Sequence, residues 1–161
     1  MTDKEYKETV VQISGNVLRF LNKNLRNAEE AKDILQESLI TLWNNRLSVE
    51  KPKAKSYLFT VAYRKMLNIV EQIQIRSERI KNISNFNDIR AIDKAMDYDN
   101  KQQISHAVEQ LPENMRTCLL LKDWEGYKTN EISQIMSISE DNVKITLFRA
   151  RRMLRKMISD F

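Results

Sequence analysis

Two glycines and two prolines in 161 residues leave this chain few places to turn sharply. Gly and Pro are the residues that stop helices and close tight turns. Their scarcity, set against abundant Leu, Ile, Lys, Glu, Gln, Asn and Arg, predicts long helices joined by few connections. No run of alternating β-branched residues bounded by turn signals occurs, so the expected fold class is all-α.

Apolar spacing places the helices. Tyr6, Val10, Ile13, Val17 and Phe20/Leu21 make one stripe of a first helix. Asn27 followed by Glu29 and Glu30 reads as the N-cap of a second, with Leu35, Leu39, Leu42 and Arg46 along one side. Pro52 punctuates the chain, and a third helix runs from about Ala54 into the seventies with Leu58, Val61, Ala62, Met66 and Ile69 buried. Periodicity fades from Ser84 to Tyr98, a polar stretch that reads as a linker able to span about 50 Å if extended. A second helical unit follows. Ile104, Ala107, Val108 and Leu111 form a stripe that stops before Pro112, and a further helix ends at Gly126. A short helix, Thr129 to Met136, then a turn at Ser137-Ile138, lead to a last helix capped by Ser139. The expected domains are 1–83, a linker over 84–99, and 100–161. Internal repeats and low-complexity segments are absent from the sequence.

A short helix, a tight turn and a longer helix make a helix-turn-helix pattern. On the last helix Val143, Leu147, Ala150, Leu154 and Met157 share an inward face, and Asp141, Ile145, Phe148, Arg149, Arg152, Arg155 and Lys156 the other. From Lys144 to Lys156 the helix carries six basic residues and no acid. Phosphates demand such a surface, and residues early in a recognition helix are those that reach base edges. The favourable helix dipole explains Arg155 and Lys156, but explains Lys144 and Arg149 less well. An exposed Phe148 beside Ile145 suits thymine methyls or the sugar backbone. The net charge of +5 permits a polyanion partner without requiring one.

Other chemistries find little support. The one cysteine, Cys118, cannot form an internal disulfide and sits in an apolar helical pattern, as a buried thiol would. The one histidine, His106, has no Cys/His cluster around it, so no metal or cofactor is expected. No phosphate loop or nucleophile–base pair points to an enzyme or a small-molecule substrate. The N-terminus lacks a signal-peptide core, and no apolar run approaches the ~20 residues of a membrane span. The expected location is the cytoplasm.

The run from Ala107 to Arg116, then Leu119 to Tyr127, Asn130 to Met136, and Val143-Lys144 with Phe148-Arg149-Ala150-Arg151, resembles the C-terminal (sigma-four) domain of extracytoplasmic-function (ECF) sigma factors of bacterial RNA polymerase, members of the sigma-70 family. The sequence departs from that pattern at Ser137, where Gly is usual, and at Ile145-Thr146, where Ser-Arg is common. The resemblance implies a domain that reads the minus-thirty-five element as duplex, with Lys144, Ile145, Phe148, Arg149 and Arg152 at the DNA.

Ala31 to Trp43 resembles the sigma-two segment that docks on the clamp helices of the polymerase largest subunit. The helical wheel sets Asp33, Glu37, Ile40 and Asn44 opposite the leucines, with Gln36 at the boundary; an exposed strip of acid, amide and aliphatic side chains suits a basic partner helix. Ser56 to Asn68 resembles the element that melts and reads the minus-ten region, which implies strand contacts at Thr60, Tyr63, Arg64, Lys65 and Asn68. Flipped bases need aromatic pockets and basic backbone contacts, which Tyr57, Phe59 and Tyr63 with the neighbouring lysines can supply, though one or both of Tyr57 and Phe59 also fit a core. Arg64 stands where Asn is frequent, and Glu71 where a basic residue is common. By resemblance the partners are core RNA polymerase, promoter DNA and an anti-sigma protein. The alternative is an independent helix-turn-helix regulator, which would require a dimerisation surface and a palindromic site.

Overall fold

The computed structural model describes residues 1–81 and 100–159, and among them every regular element is helical, as expected. The stretch read as a linker lies outside the described residues.

The N-terminal unit comprises α1 (Asp3–Leu25), α2 (Ala28–Asn44) and α3 (Ala54–Lys81), with a single 3₁₀ turn at Lys51–Lys53. Capping sets their boundaries. Thr2 accepts from the Glu5 amide at 3.2 Å while the Glu5 carboxylate accepts from the Thr2 amide at 2.8 Å, a reciprocal box that satisfies two otherwise orphaned donors. At the other end Arg26 turns left-handed (φ 53°), and Asn27 then caps α2 by accepting from the Glu29 and Glu30 amides. The core joins Val17, Phe20 and Leu21 of α1 to Ile34 and Leu42 of α2 and to Leu58, Phe59, Ala62 and Met66 of α3. Each large apolar side chain so buried contributes about 1.5–3 kcal/mol. Phe20 and Phe59 meet edge to face at 5.4 Å, a preferred geometry that adds to burial.

The face of α2 is turned slightly from the expected one. Ala31, Ile34, Ser38 and Leu42 are its buried residues, whereas Leu35 and Leu39 are half-buried. The small Ser38 can be buried because its hydroxyl donates to the Ile34 backbone carbonyl at 2.6 Å and so is satisfied within its own helix. Arg46, expected on the helical stripe, lies beyond the helix end; its guanidinium stacks on Trp43 at 3.7 Å and pairs with Asp3 at 2.9 Å. Val61 and Ile69, expected to be buried, are half-buried.

The C-terminal unit comprises α4 (Asn100–Gln110), α5 (Glu113–Leu119), α6 (Thr129–Met136) and α7 (Glu140–Ser159). Arg116 donates to the Glu109 and Leu111 carbonyls, each at 3.1 Å, and so closes the C-terminal end of α4. From α5 the chain continues through one π turn, Leu120–Trp124, to Gly126 at φ +74°, where the left-handed backbone favours glycine. Ala107, Val108, Leu111, Cys118–Leu121, Ile132, Ile135, Val143, Leu147 and Ala150 fill the core; Ile104, expected among them, is exposed. Leu154 and Met157 are half-buried. Cys118 is buried, as its sequence context suggested, and burial pushes its thiol up to about 11.

The two units pack together. Phe59 of α3 meets the Tyr127 ring edge to face at 5.5 Å, and the Tyr127 hydroxyl is buried with no hydrogen-bond partner among the described residues. Removing an unsatisfied buried hydroxyl removes its desolvation penalty, so Tyr127→Phe is expected to stabilise the protein by about 1 kcal/mol, or ~2–4 °C in Tm by calorimetry. A lowered Tm would show that the hydroxyl is satisfied in solution.

Candidate nucleic-acid and polymerase interfaces

The turn between α6 and α7 fixes the last helix. Ser137 takes the left-handed backbone itself (φ 56°), which a small polar residue does at modest strain. The Ser133 hydroxyl donates to the Ile138 carbonyl at 2.5 Å, and Ser139 caps α7 by accepting from the Asn142 amide at 3.1 Å. With Val143, Thr146, Leu147 and Ala150 buried, Lys144, Ile145, Phe148, Arg149 and Arg152 all face outward. Phe148 is 62% exposed and Ile145 50%, a pair of apolar side chains inside a basic field. Arg151 is the one arginine of α7 with an ion-pair partner among the described residues, Asp123 at 3.0 Å, and that pair braces α7 against the π turn.

The second set lies on α2. Asp33, Gln36, Glu37, Ile40 and Asn44 are all exposed, with Ile40 at 59%. The third set lies on α3, where Arg64 and Asn68 are exposed and Thr60 and Lys65 half-buried. Lys65 reaches across to Glu37 at 3.5 Å, so two sets deduced separately from the sequence adjoin in space. Tyr63 is different. It is buried, and burial, with Glu113 and Cys118 of the C-terminal unit nearby, raises its hydroxyl above the ordinary tyrosine value. Phe59 is wholly core, which removes it from the aromatics available to a flipped base; Tyr57 is half-buried.

Tyr57 also borders a feature that the sequence did not disclose. Asn45, Ser48, Val49, Glu50, Lys53 and Tyr57 surround an open cavity of about 290 Å³ beside the start of α3. An amide, a hydroxyl, an acid, a cation and an aromatic ring converge there. The polar residues come from the connection between α2 and α3, which has no periodicity to mark them; only the aromatic at 57 gave a signal.

Two family models match the chain: sigma-70 region 2 over residues 10–78 and sigma-70 region 4 over residues 101–154. The architecture is thus that of a sigma-70-type factor, a region 2 domain followed by a region 4 domain. Among curated proteins, the ECF sigma factor SigM of Bacillus subtilis is 30% identical over 147 residues, covering 89% of this chain and 88% of its own. The sigma-H factor of Pseudomonas aeruginosa is 26% identical over 91% of this chain and 80% of its own. A solved sigma factor RpoE from Bartonella quintana, in complex with the anti-sigma factor NepR, superposes with a TM-score of 0.73 over 97% of this chain and 98% of that one, at 19% identity. CnrH, in complex with the cytosolic domain of CnrY, gives 0.70 over 99% of this chain and 90% of that one, at 12% identity. The chain belongs to the ECF sigma factors of RNA polymerase, and its role is in transcription initiation. Matches to both halves displace the independent regulator. Sigma factors as a class are not enzymes. No helix among the described residues is long and apolar enough to cross a membrane.

Proposed function

We propose that this sigma factor divides its work among the three faces. The strip Asp33, Gln36, Glu37, Ile40 and Asn44 docks on core polymerase, its acids meeting basic residues of a partner helix. Thr60, Tyr63, Arg64, Lys65 and Asn68 hold the non-template strand of the minus-ten element. The cavity beside Tyr57 takes one extruded base, with Tyr57 as the stacking surface and the amide, hydroxyl and acid reading the base edge. Lys144, Ile145, Phe148, Arg149 and Arg152 bind upstream duplex in the major groove. Residues 1–83 form the polymerase- and strand-binding domain, 84–99 the linker, and 100–161 the duplex-binding domain. Binding energy spent on the separated strand favours melted DNA, so this chain hydrolyses no nucleotide and needs no cofactor. It works in the cytoplasm, and an anti-sigma protein holds it inactive, as the two solved relatives' partners suggest.

The observation that carries this proposal is the α7 face, with exposed Phe148 and Ile145 set among Lys144, Arg149 and Arg152 on a helix braced from behind. Run-off transcription with bacterial core polymerase on fragments of the source genome tests the whole. Protein-dependent initiation at discrete start sites is expected. Duplex binding without initiation would overturn the division of roles.

A further inference from the structure

We propose that Leu47 is an apolar wedge: it enters the base stack of promoter DNA beside the base that the cavity takes, and so keeps that base from returning. The role rests on the base-binding reading of the cavity given above. Leu47 is 84% exposed, and a lone surface leucine ordinarily calls for no explanation. Its place in the fold is what sets this one apart. Asn45 and Ser48 line the cavity, and the Ser48 amide donates to the Asn45 carbonyl at 2.9 Å. That bond closes a tight turn with Arg46 and Leu47 at its two corners. Corners of this kind favour Gly, Pro, Asn, Asp and Ser, for reasons of backbone geometry that leucine does not share.

The turn is braced on both sides. Before Leu47, the Asn45 amide group donates to the Thr41 carbonyl at 2.8 Å, and the Arg46 guanidinium folds back to stack on Trp43 and pair with Asp3 of α1. After it, Val49 is buried, and Lys51 pairs with Glu8 of α1 at 2.8 Å. Leu47 is thus held out by a loop pinned at its two ends, and little ordering is left to do when DNA arrives. A base drawn into the cavity leaves a gap between its former neighbours. Apolar side chains inserted at such a step offset the unstacking cost with contacts of their own. Leucine has no hydrogen-bonding group, so it accepts any neighbouring base and leaves the reading of sequence to the cavity. Polymerase is the rival occupant, since Ile40 and Asn44 of the docking strip lie a short way back along the chain. DNA is favoured because Leu47 stands past the end of α2, in the turn that carries two of the cavity's polar residues.

Leu47→Ala tests the wedge, and so exposed a side chain can be shortened without loss of the fold. Run-off initiation is compared on two forms of a promoter from a mapped start site, one fully paired and one mismatched across the minus-ten region so that it is already open. On paired DNA the variant is expected to initiate about tenfold less than the wild type, and 2-aminopurine in the minus-ten region should report the same loss of opening. On the open template the two proteins should match, and affinity for core polymerase should be unchanged. Leu47→Met, which restores an apolar side chain of similar size, should recover opening on paired DNA. An equal loss on both templates together with weakened polymerase binding would give Leu47 to the docking strip and overturn the wedge, as would undiminished opening by Leu47→Ala. Tyr57→Ala separates the wedge from the reading beneath it. Loss of the stacking surface should lower initiation on the open template as well. If Tyr57→Ala matches the wild type on both templates, the cavity holds no base and the wedge falls with it. If Tyr57→Ala is impaired and Leu47→Ala is not, the wedge alone is wrong.

Discussion

Alanine at both Lys144 and Arg149 is expected to weaken binding of a promoter's upstream duplex by about 2–6 kcal/mol, taking ~1–3 kcal/mol for each contact that reads a base. Both side chains project from the exposed face of α7, and neither is engaged in an ion pair among the described residues, so the fold should survive their loss. If they touch phosphate instead, the loss will be nearly uniform across sequences, and the salt dependence will shrink by about one charge for each residue. Fluorescence anisotropy with a duplex from a mapped start site, repeated over a range of salt, separates these cases. Unchanged affinity in a folded variant would remove α7 as the recognition helix.

The second large effect concerns polymerase. Asp33→Lys with Glu37→Lys turns two exposed acids of one helix face into cations, and juxtaposing like charges across an interface costs several kcal/mol. Affinity for core polymerase should fall by ~2–4 kcal/mol, read by competition against the wild-type chain. The change also sets a lysine at 37 against Lys65, but an exposed ion pair contributes about 1 kcal/mol or less, so the fold should hold. Duplex binding through α7 is the internal control and should not move. Undiminished polymerase affinity would place the docking surface elsewhere.

Local chemistry made much of this molecule legible beforehand. The bounds of α6 followed from the break at Gly126 and the turn at Ser137, the start of α2 from Asn27, and the outward face of α7 from its charge pattern. The face of α2 was read less well, because hydrophobic spacing ranks leucine above serine. Tertiary crowding selected Ser38, whose hydroxyl can satisfy itself within its own helix. Arg46 was misplaced for a related reason: spacing extends a helix until something stops it, and Asn45 is a weak stop signal. The cavity beside Tyr57 and the hydrogen bonds that Asn24 accepts from Arg116 and Thr117 had no sequence signature. The partners of Asn24 stand 92 and 93 residues away, and neither residue type is unusual at its position. Tyr63 shows the same limit, since an aromatic at helical spacing does not reveal which of two domains will cover it.

The bridge between Glu37 and Lys65 has one more consequence. A carboxylate facing a polymerase cation has less hold on its own lysine, and a lysine so released can turn to a phosphate. On the roles proposed for Glu37 and Lys65, the pair would be a small thermodynamic linkage inside one domain: engaging polymerase would sharpen the grip on the strand, and by reciprocity the strand would tighten polymerase binding. Because the pair is largely solvated, its coupling is worth about 1 kcal/mol at most, a bias of roughly fivefold that tunes initiation without gating it.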